Sequence, residues 1–503
     1  MKSLKRAFLT VTAVLAQVFG ASCPAAAQAA EGKIAFDLMH TVPICANAGK
    51  PDTWCTLAEA PKNADAAGME ERANAIIAQA KDPSAARITI AYFSFSNRKV
   101  LGLAPDGKTA TGGLCAAGRA GIPIEGFFDV SYRDPSMFPA LLAANCQGPS
   151  GRNVRVHFLG KTDTSNPDAI IWRLHHNKFL MVDTGVPSDK VYVNFSSGNL
   201  SSFGMSNHFD HWVTLQADRD TNLVKQQNCV IESLRKAIDT DGDGVDASED
   251  DPEAYRTALN ACLTKAKSLF SAKDSKWTER ALDREGIAPL FSPEPTNQIA
   301  RVLIDNINRV APGGSISGAM QHFLHVQIAL ALQKAEARGV KVSLIMDDDV
   351  LTGESEVPGV GEFYKGYLDP KVSGFDISFL VTNAADHQMM HNKFLVMTNV
   401  DGKETRVFSG AGHFTTSGMR NNYENFYLSR NDGLSAKYAE FFKYLRGRAV
   451  DASVLGGSDA VPNPFAGALE KVYAAVQAVE SGIDEVEPKE LVVPNMKEAL
   501  RVK

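Results

Sequence analysis

The chain has 503 residues, 44% of them hydrophobic and 22% charged, with a formal net charge of −6. That composition belongs to a folded protein of about two or three domains and excludes a disordered or fibrous chain. The acidic balance also excludes a uniformly basic nucleic-acid coat, though not a local basic groove.

The first elements read as a leader. Lys2, Lys5 and Arg6 precede an apolar run from Ala7 to Ala21, and small residues with an Ala-x-Ala pattern (Ala27-Gln28-Ala29) follow. This layout predicts a secretory signal peptide over residues 1–30, because the run is shorter than the ~20 residues a spanning helix needs. Export to the periplasm or the medium is therefore expected. The cysteines agree: beyond Cys23 there are six, all before residue 263. An oxidising compartment permits disulfides. Sequence alone leaves the pairing open; the nearest-neighbour set Cys45–Cys55, Cys115–Cys146 and Cys229–Cys262 is expected, with buried free thiols as the alternative.

Two stretches of the remaining chain repeat each other. Leu174-His175-His176-Asn177-Lys178-Phe179-Leu180 and Met390-His391-Asn392-Lys393-Phe394-Leu395 share the pentapeptide HNKFL, and an apolar run follows the Lys each time. Each is followed by a strand-like segment and small residues, Ser196-Ser197-Gly198-Asn199 in the first copy and Ser409-Gly410-Ala411-Gly412 in the second. An acid beside aromatics comes next: Asp210 lies 34 residues after His176, and Glu424 lies 33 after His391. Upstream, strand patterns ending at Asp129 and Asp347 alternate with helical or Gly-rich segments, which argues for two α/β halves with mixed, largely parallel sheets.

Residues i and i+2 of a strand share a face, so His176 projects with Lys178 and His391 with Lys393. Two imidazoles and two ammonium groups meeting in one cleft suit an anionic substrate, one His attacking while the other protonates the leaving group. Each His needs its second ring nitrogen held by a partner. The matching offsets offer Asp210 for the first copy and Glu424 for the second. The spacing of His387 and His391 could bind zinc on a helix, but Gln388 stands where that motif needs Glu and the context is a strand.

These residues resemble the phospholipase D superfamily with its HxK(x)4D motif. His176, Lys178 and Asp183 match in full; His391 and Lys393 match, with Thr398 in place of the acid. Ser197 and Asn199 resemble the Ser and Asn of the family's Gly-Ser-x-Asn element, while Gly410 and His413 depart from it. The resemblance covers roughly residues 34–450. It implies two halves sharing one active site and a phosphohistidine mechanism without a catalytic metal. His176 would be the nucleophile and His391 the general acid. Lys178, Lys393, Asn199 and Ser197 would hold phosphate oxygens, and Asp183 would be structural.

One insertion stands apart. Asp239-Thr240-Asp241-Gly242-Asp243-Gly244-Val245, closing at Asp250, has acids at positions 1, 3, 5 and 12 and Gly at 6, the pattern of a calcium loop. Its expected ligands are Asp239, Asp241, Asp243, Val245 and Asp250, with a structural role for the ion. Residues 239–253 hold eight acids and no base, and the first thirty residues hold three bases and no acid, so the body outside them is nearly neutral.

The expected organisation is a leader over 1–30, a first half over 31–285 carrying the insertion near 239–252, a second half over 286–450, and a helical tail over 451–503. A monomeric phosphodiesterase acting on phospholipid, with transient contact at a membrane surface, is the leading expectation. A secreted nuclease of the same superfamily is the second, and a non-catalytic calcium-dependent binding module the third.

Overall fold

The computed structural model describes residues 34–45, 55–56, 58–59, 62–161, 173–186, 189–239, 250–271, 276–294, 298–352 and 359–455. The expected leader, most of the calcium loop and nearly all of the helical tail lie outside the described residues.

The first half holds strands β1 (Ile34–Thr41), β2 (Arg87–Tyr92), β3 (Ile124–Asp129), β4 (Val154–Lys161), β5 (Arg173–Leu174), β6 (Lys178–Asp183), β7 (Val191–Ser196) and β8 (Asp210–Ala217). The second holds β9 (Ile287–Ser292), β10 (Ser315–Met320), β11 (Phe323–Leu324), β12 (Lys341–Asp347), β13 (Asp376–Leu380), β14 (Lys393–Val400), β15 (Glu404–Gly410), β16 (Phe414–Thr415) and β17 (Glu424–Ser429). The sheets run β1-β8-β7-β6-β2-β3-β4-β5 and β13-β12-β10-β14-β15-β17-β9. Read from opposite ends, the two orders superimpose over seven strands, β6 matching β14 and β8 matching β17, with β5 added at the edge of the first sheet.

Both sheets are mixed, as expected, but they are not largely parallel. Parallel pairing is confined to β2-β3-β4 and β10-β12-β13. Every other neighbour in the two sheets is antiparallel. Connection length decides this. The parallel strands β2 to β3 and β10 to β12 are joined through helical crossovers, Gly113–Arg119 and Val326–Ala337. After each HNK strand the chain turns back at once, and a short return permits only antiparallel pairing.

The central strands β6, β8, β9 and β17 are buried on both faces, and one apolar core lies between the sheets, joining Phe179, Val193 and Phe195 to Phe291, Phe394 and Tyr427. Phe195 stacks on Tyr427 with ring centroids 3.8 Å apart. The helix Asp432–Arg446 returns to the first half, where Lys437 Nζ lies 2.9 Å from Asp37 Oδ1. The two halves thus share one core, and their HNK strands are fixed relative to each other by apolar packing.

Among the described residues three disulfides join nearest neighbours, Cys45–Cys55, Cys115–Cys146 and Cys229–Cys262. The last ties helix Asn222–Ile238 to helix Pro252–Lys265. The Asp251 N–H donates to Ala237 O at 2.7 Å, closing the acidic insertion at its base. Among the described residues no helix is long and apolar enough to cross a membrane.

Candidate active site

Lys178 and Lys393 open β6 and β14, and their histidines lie two residues earlier, where each segment is bonded to the other half. The His176 N–H donates to Tyr423 O (2.9 Å) and the Tyr423 N–H to Leu174 O (2.9 Å). In the related bridge, the His391 N–H donates to Phe209 O (3.1 Å) and the Phe209 N–H to Met389 O (2.9 Å). These parallel bridges, His175 with Tyr423 and His208 with Met389, stitch each HNK segment to the acid-bearing segment of the opposite copy.

The orienting acids are consequently exchanged. His176 Nδ1 lies 2.8 Å from Glu424 Oε2, and His391 Nδ1 lies 3.1 Å from Asp210 Oδ1. The expected pairing of Asp210 with His176 and of Glu424 with His391 is therefore corrected. Offset along one chain could not reveal it, because the contact depends on how the two sheets face each other. Each acid is itself held: Asn422 Nδ2 donates to Glu424 Oε1 at 3.2 Å, and Ser197 Oγ donates to Asp210 Oδ1 at 2.7 Å. Ser197, expected to hold a phosphate oxygen, is thus engaged in fixing an acid. Asn199 lies just beyond it, and its shielded Oδ1 has no partner among the described residues.

Lys178 Nζ lies 2.8 Å from His176 Nε2, and Lys393 Nζ donates to His391 O at 2.5 Å. The two lysines and the two orienting acids are almost fully buried, and the histidines are 5% exposed. An ammonium donating to His176 Nε2 and a carboxylate accepting from Nδ1–H together select the tautomer whose Nε2 carries the lone pair, the form a nucleophile requires. Burial governs the charges. It lowers Lys178 to about 7 against the opposing pull of Glu424 and Asp210, and it raises Glu424 to about 8 against the pull of Lys178. Burial, then the neighbouring lysines, holds both histidines well below the usual imidazole range. An anion entering the cleft reverses these terms for the lysines.

Two functional residues were missed as site residues by sequence reasoning. Asp129 Oδ2 accepts the His175 N–H at 2.9 Å, and Asp347 Oδ2 accepts the Met390 N–H at 2.6 Å. Each acid ends its strand and fixes the backbone just before a site histidine. The signal was present, since both copies have a strand ending in Asp, but no motif attached to it. Burial and the neighbouring Asp349 raise Asp347 to about 8.

The motif acid proves remote from the chemistry. Asp183, at the far end of β6, accepts the Gly185 N–H at 2.8 Å and pairs with Arg219. At the matching end of β14, Thr398 Oγ1 accepts the Ser315 N–H at 2.9 Å. The hydroxyl takes over the acid's role of tying down a strand end.

Of the expected calcium ligands, Asp241, Asp243 and Val245 lie outside the described residues, and Asp239 caps the end of helix Asn222–Ile238. Asp250 is buried and turned toward the active site. Arg173 binds its carboxylate twice, Nη2 to Oδ1 at 2.7 Å and Nε to Oδ2 at 3.1 Å, and the Tyr423 hydroxyl donates to Oδ2. As placed, both oxygens serve these partners. Elsewhere among the described residues, His208, Asp210 and His391 bring donor atoms within 4.8 Å of one another, but Asp210 is there engaged in orienting His391.

Residues 303–446 match the family described as cardiolipin synthase, PLD-like domain. No curated protein matches the chain significantly. Among solved structures, NucT from Helicobacter pylori is 18% identical, covering 33% of this chain and 97% of its own, with a TM-score of 0.28. Phosphatidylserine synthase from Haemophilus influenzae Rd KW20 is 11% identical, covering 83% of this chain and 93% of its own, with a TM-score of 0.49. The family likeness thus covers residues 303–446, the stretch that holds His391, Lys393, His413 and Glu424.

Proposed function

We propose that the protein is an exported phosphodiesterase that hydrolyses phospholipid phosphodiester bonds through a phosphohistidine. The observation that carries the reading is the pair of buried His–Lys units, each His oriented by an acid of the opposite copy. The phosphate anion opposes the burial and lysine terms that keep His391 neutral in the free protein, so His391 enters the step protonated; His176 Nε2 attacks phosphorus as the bond to the head-group oxygen breaks, and His391 gives that oxygen its proton. His391, now neutral, takes a proton from water; the water oxygen bonds to phosphorus, the N–P bond breaks, and phosphatidic acid leaves. Lys178 and Lys393 neutralise the phosphoryl oxygens in a site shielded from water, where such charges act most strongly. The match of residues 303–446 to a family named for a phospholipid enzyme supports lipid as the substrate class. Thr398, in the structural place of Asp183, supports catalysis over a non-catalytic binding module.

The test sets phosphatidylcholine vesicles beside plasmid DNA, without added metal, using the wild type, His176→Ala and His391→Ala. Cleavage of vesicles, lost by at least ~10³-fold in each variant, is expected. Cleavage of DNA alone would transfer the same mechanism to a nuclease, and activity surviving either substitution would end the paired-histidine mechanism.

A further inference from the structure

The duplication supplies an internal control for one place where the two copies differ inside the site. Asn199 and His413 occupy equivalent positions, each three residues beyond the end of its strand, β7 or β15. Each is followed by a short helix with a hydroxyl cap, Ser201 or Thr415, and each lies against that helix's glycine, Gly204 or Gly418. A second pair of positions corresponds in the same way. The Phe93 N–H donates to Asn177 O and the Gln321 N–H to Asn392 O, both at 3.2 Å. The residue after each is Ser94 in the first copy and His322 in the second. Where the first copy has serine and asparagine, the second has two histidines.

These two imidazoles are neighbours. His413 stacks on His322 with ring centroids 4.7 Å apart. The His413 ring also lies 5.3 Å from that of His176 and 5.7 Å from that of His391. The short ladder of β11 with β16, and the bond from the Phe414 N–H to His322 O at 3.2 Å, lock the pair in place. Behind them, His322 Nε2 lies 3.9 Å from Asp349 Oδ2. His413 Nδ1 is shielded from solvent and has no hydrogen-bond partner among the described residues, so a ring within about 6 Å of both reacting histidines carries an unsatisfied donor or acceptor.

We propose that His413, backed by His322, is a third catalytic imidazole, which donates to a non-bridging oxygen of the phosphoryl group and does so more strongly when protonated. The inference rests on the phosphodiesterase reading and adds to it a titratable donor that the Asn199–Ser94 pair cannot provide. A carboxamide donates equally at any pH, whereas an imidazole donates from one nitrogen when neutral and from two when charged. The groups facing His413 are His176, His391, Lys393 and His322. Together with burial they hold it well below the usual imidazole range in the free protein. A phosphoryl anion opposes them, so the titration belongs to the enzyme–substrate complex and to kcat rather than to kcat/KM.

The experiment returns the second copy to the residues of the first, with His413→Asn, His322→Ser and the double variant, beside His413→Ala. The probe is bis(p-nitrophenyl) phosphate, which needs neither lipid nor nucleic acid. The ratio of wild-type to His413→Asn kcat is read from pH 5 to 9, so that titration of His176 and His391, common to both, cancels. The ratio is expected to fall by about tenfold or more as pH rises, and the loss in His413→Ala to shrink in parallel from about 10²-fold at low pH, the scale of one lost oxyanion donor. His322→Ser should move the midpoint of that fall, an effect a merely structural role would not produce. Melting temperatures confirm that each variant folds. A ratio independent of pH, with His413→Ala as active as the wild type, would overturn the proposal. If the wild type cleaves nothing, the phosphodiesterase reading fails, and calorimetry with orthophosphate decides the binding part. In that case unchanged affinity in His413→Ala, across the same pH range, overturns it.

Discussion

Nδ1 of His176 lies 2.8 Å from Oε2 of Glu424, a residue of the other copy of the repeat. With its counterpart between His391 and Asp210, this makes each catalytic unit a product of both halves. Neither half alone contains an oriented histidine.

The exchanged pairs predict that the two acids affect different steps. Glu424→Gln weakens the nucleophile and should slow cleavage by about 10² to 10⁴-fold whatever the leaving group, by analogy with loss of an orienting acid. Asp210→Asn weakens the general acid, and a p-nitrophenyl leaving group, which needs no proton, should restore most of the rate of the first step. Pre-steady-state bursts with nitrophenyl and alkyl esters check this. Rescue of Glu424→Gln but not of Asp210→Asn would reverse the roles of the histidines.

Burial lowers Lys178 to about 7 in the free protein, so at pH 8 it is largely neutral. An anion raises its pKa, and phosphate binding should therefore take up protons at that pH, seen as a buffer-dependent binding enthalpy. The stability sign follows from the same shift. Folding carries the cost of the buried ammonium in full below about pH 7, and the cost fades as pH rises toward the unfolded value near 10.5. Lys178→Met should therefore raise the melting temperature at pH 6, with the gain vanishing near pH 10. A gain that grows with pH would contradict the assignment.

Thr398 stands where the first copy has Asp183, and its hydroxyl accepts the Ser315 N–H. Thr398→Ala should cost about 1 kcal/mol of stability, the scale of one hydrogen bond, and leave kcat within about twofold. Denaturant unfolding and steady-state kinetics separate the two effects. A large fall in kcat at unchanged stability would make the position catalytic.

Asp250 joins Arg173, three residues before His176, to Tyr423, one residue before Glu424. Asp250→Asn should destabilise the protein by about 3 kcal/mol, as expected when a buried ion pair loses one partner, and should slow the His176 step more than substrate binding. We further propose that the insertion beginning at Asp239 holds structural calcium. Chelation should then lower the melting temperature, and calcium at 100 times its dissociation constant should restore about 2.7 kcal/mol. No shift on chelation would remove the metal.

The repeat, the four site residues His176, Lys178, His391 and Lys393, and the disulfide pairs were legible because they are local or nearly so. A strand places i and i+2 on one face wherever it sits, and cysteines close in sequence are the first to meet. Asp129 and Asp347 were visible as strand ends but had no assigned role, since their partners are backbone amides more than forty residues away.

The tertiary structure alone decided which acid serves which histidine, that Ser197 holds Asp210, and that His413 lies near both reacting rings. By itself the sequence determined the inventory of the site and its division into two copies, because duplication preserves residue order. It could not determine the partners. Those depend on two sheets packing face to face around Phe195 and Tyr427, an apolar contact without direction that brings each histidine to the acid of the opposite copy.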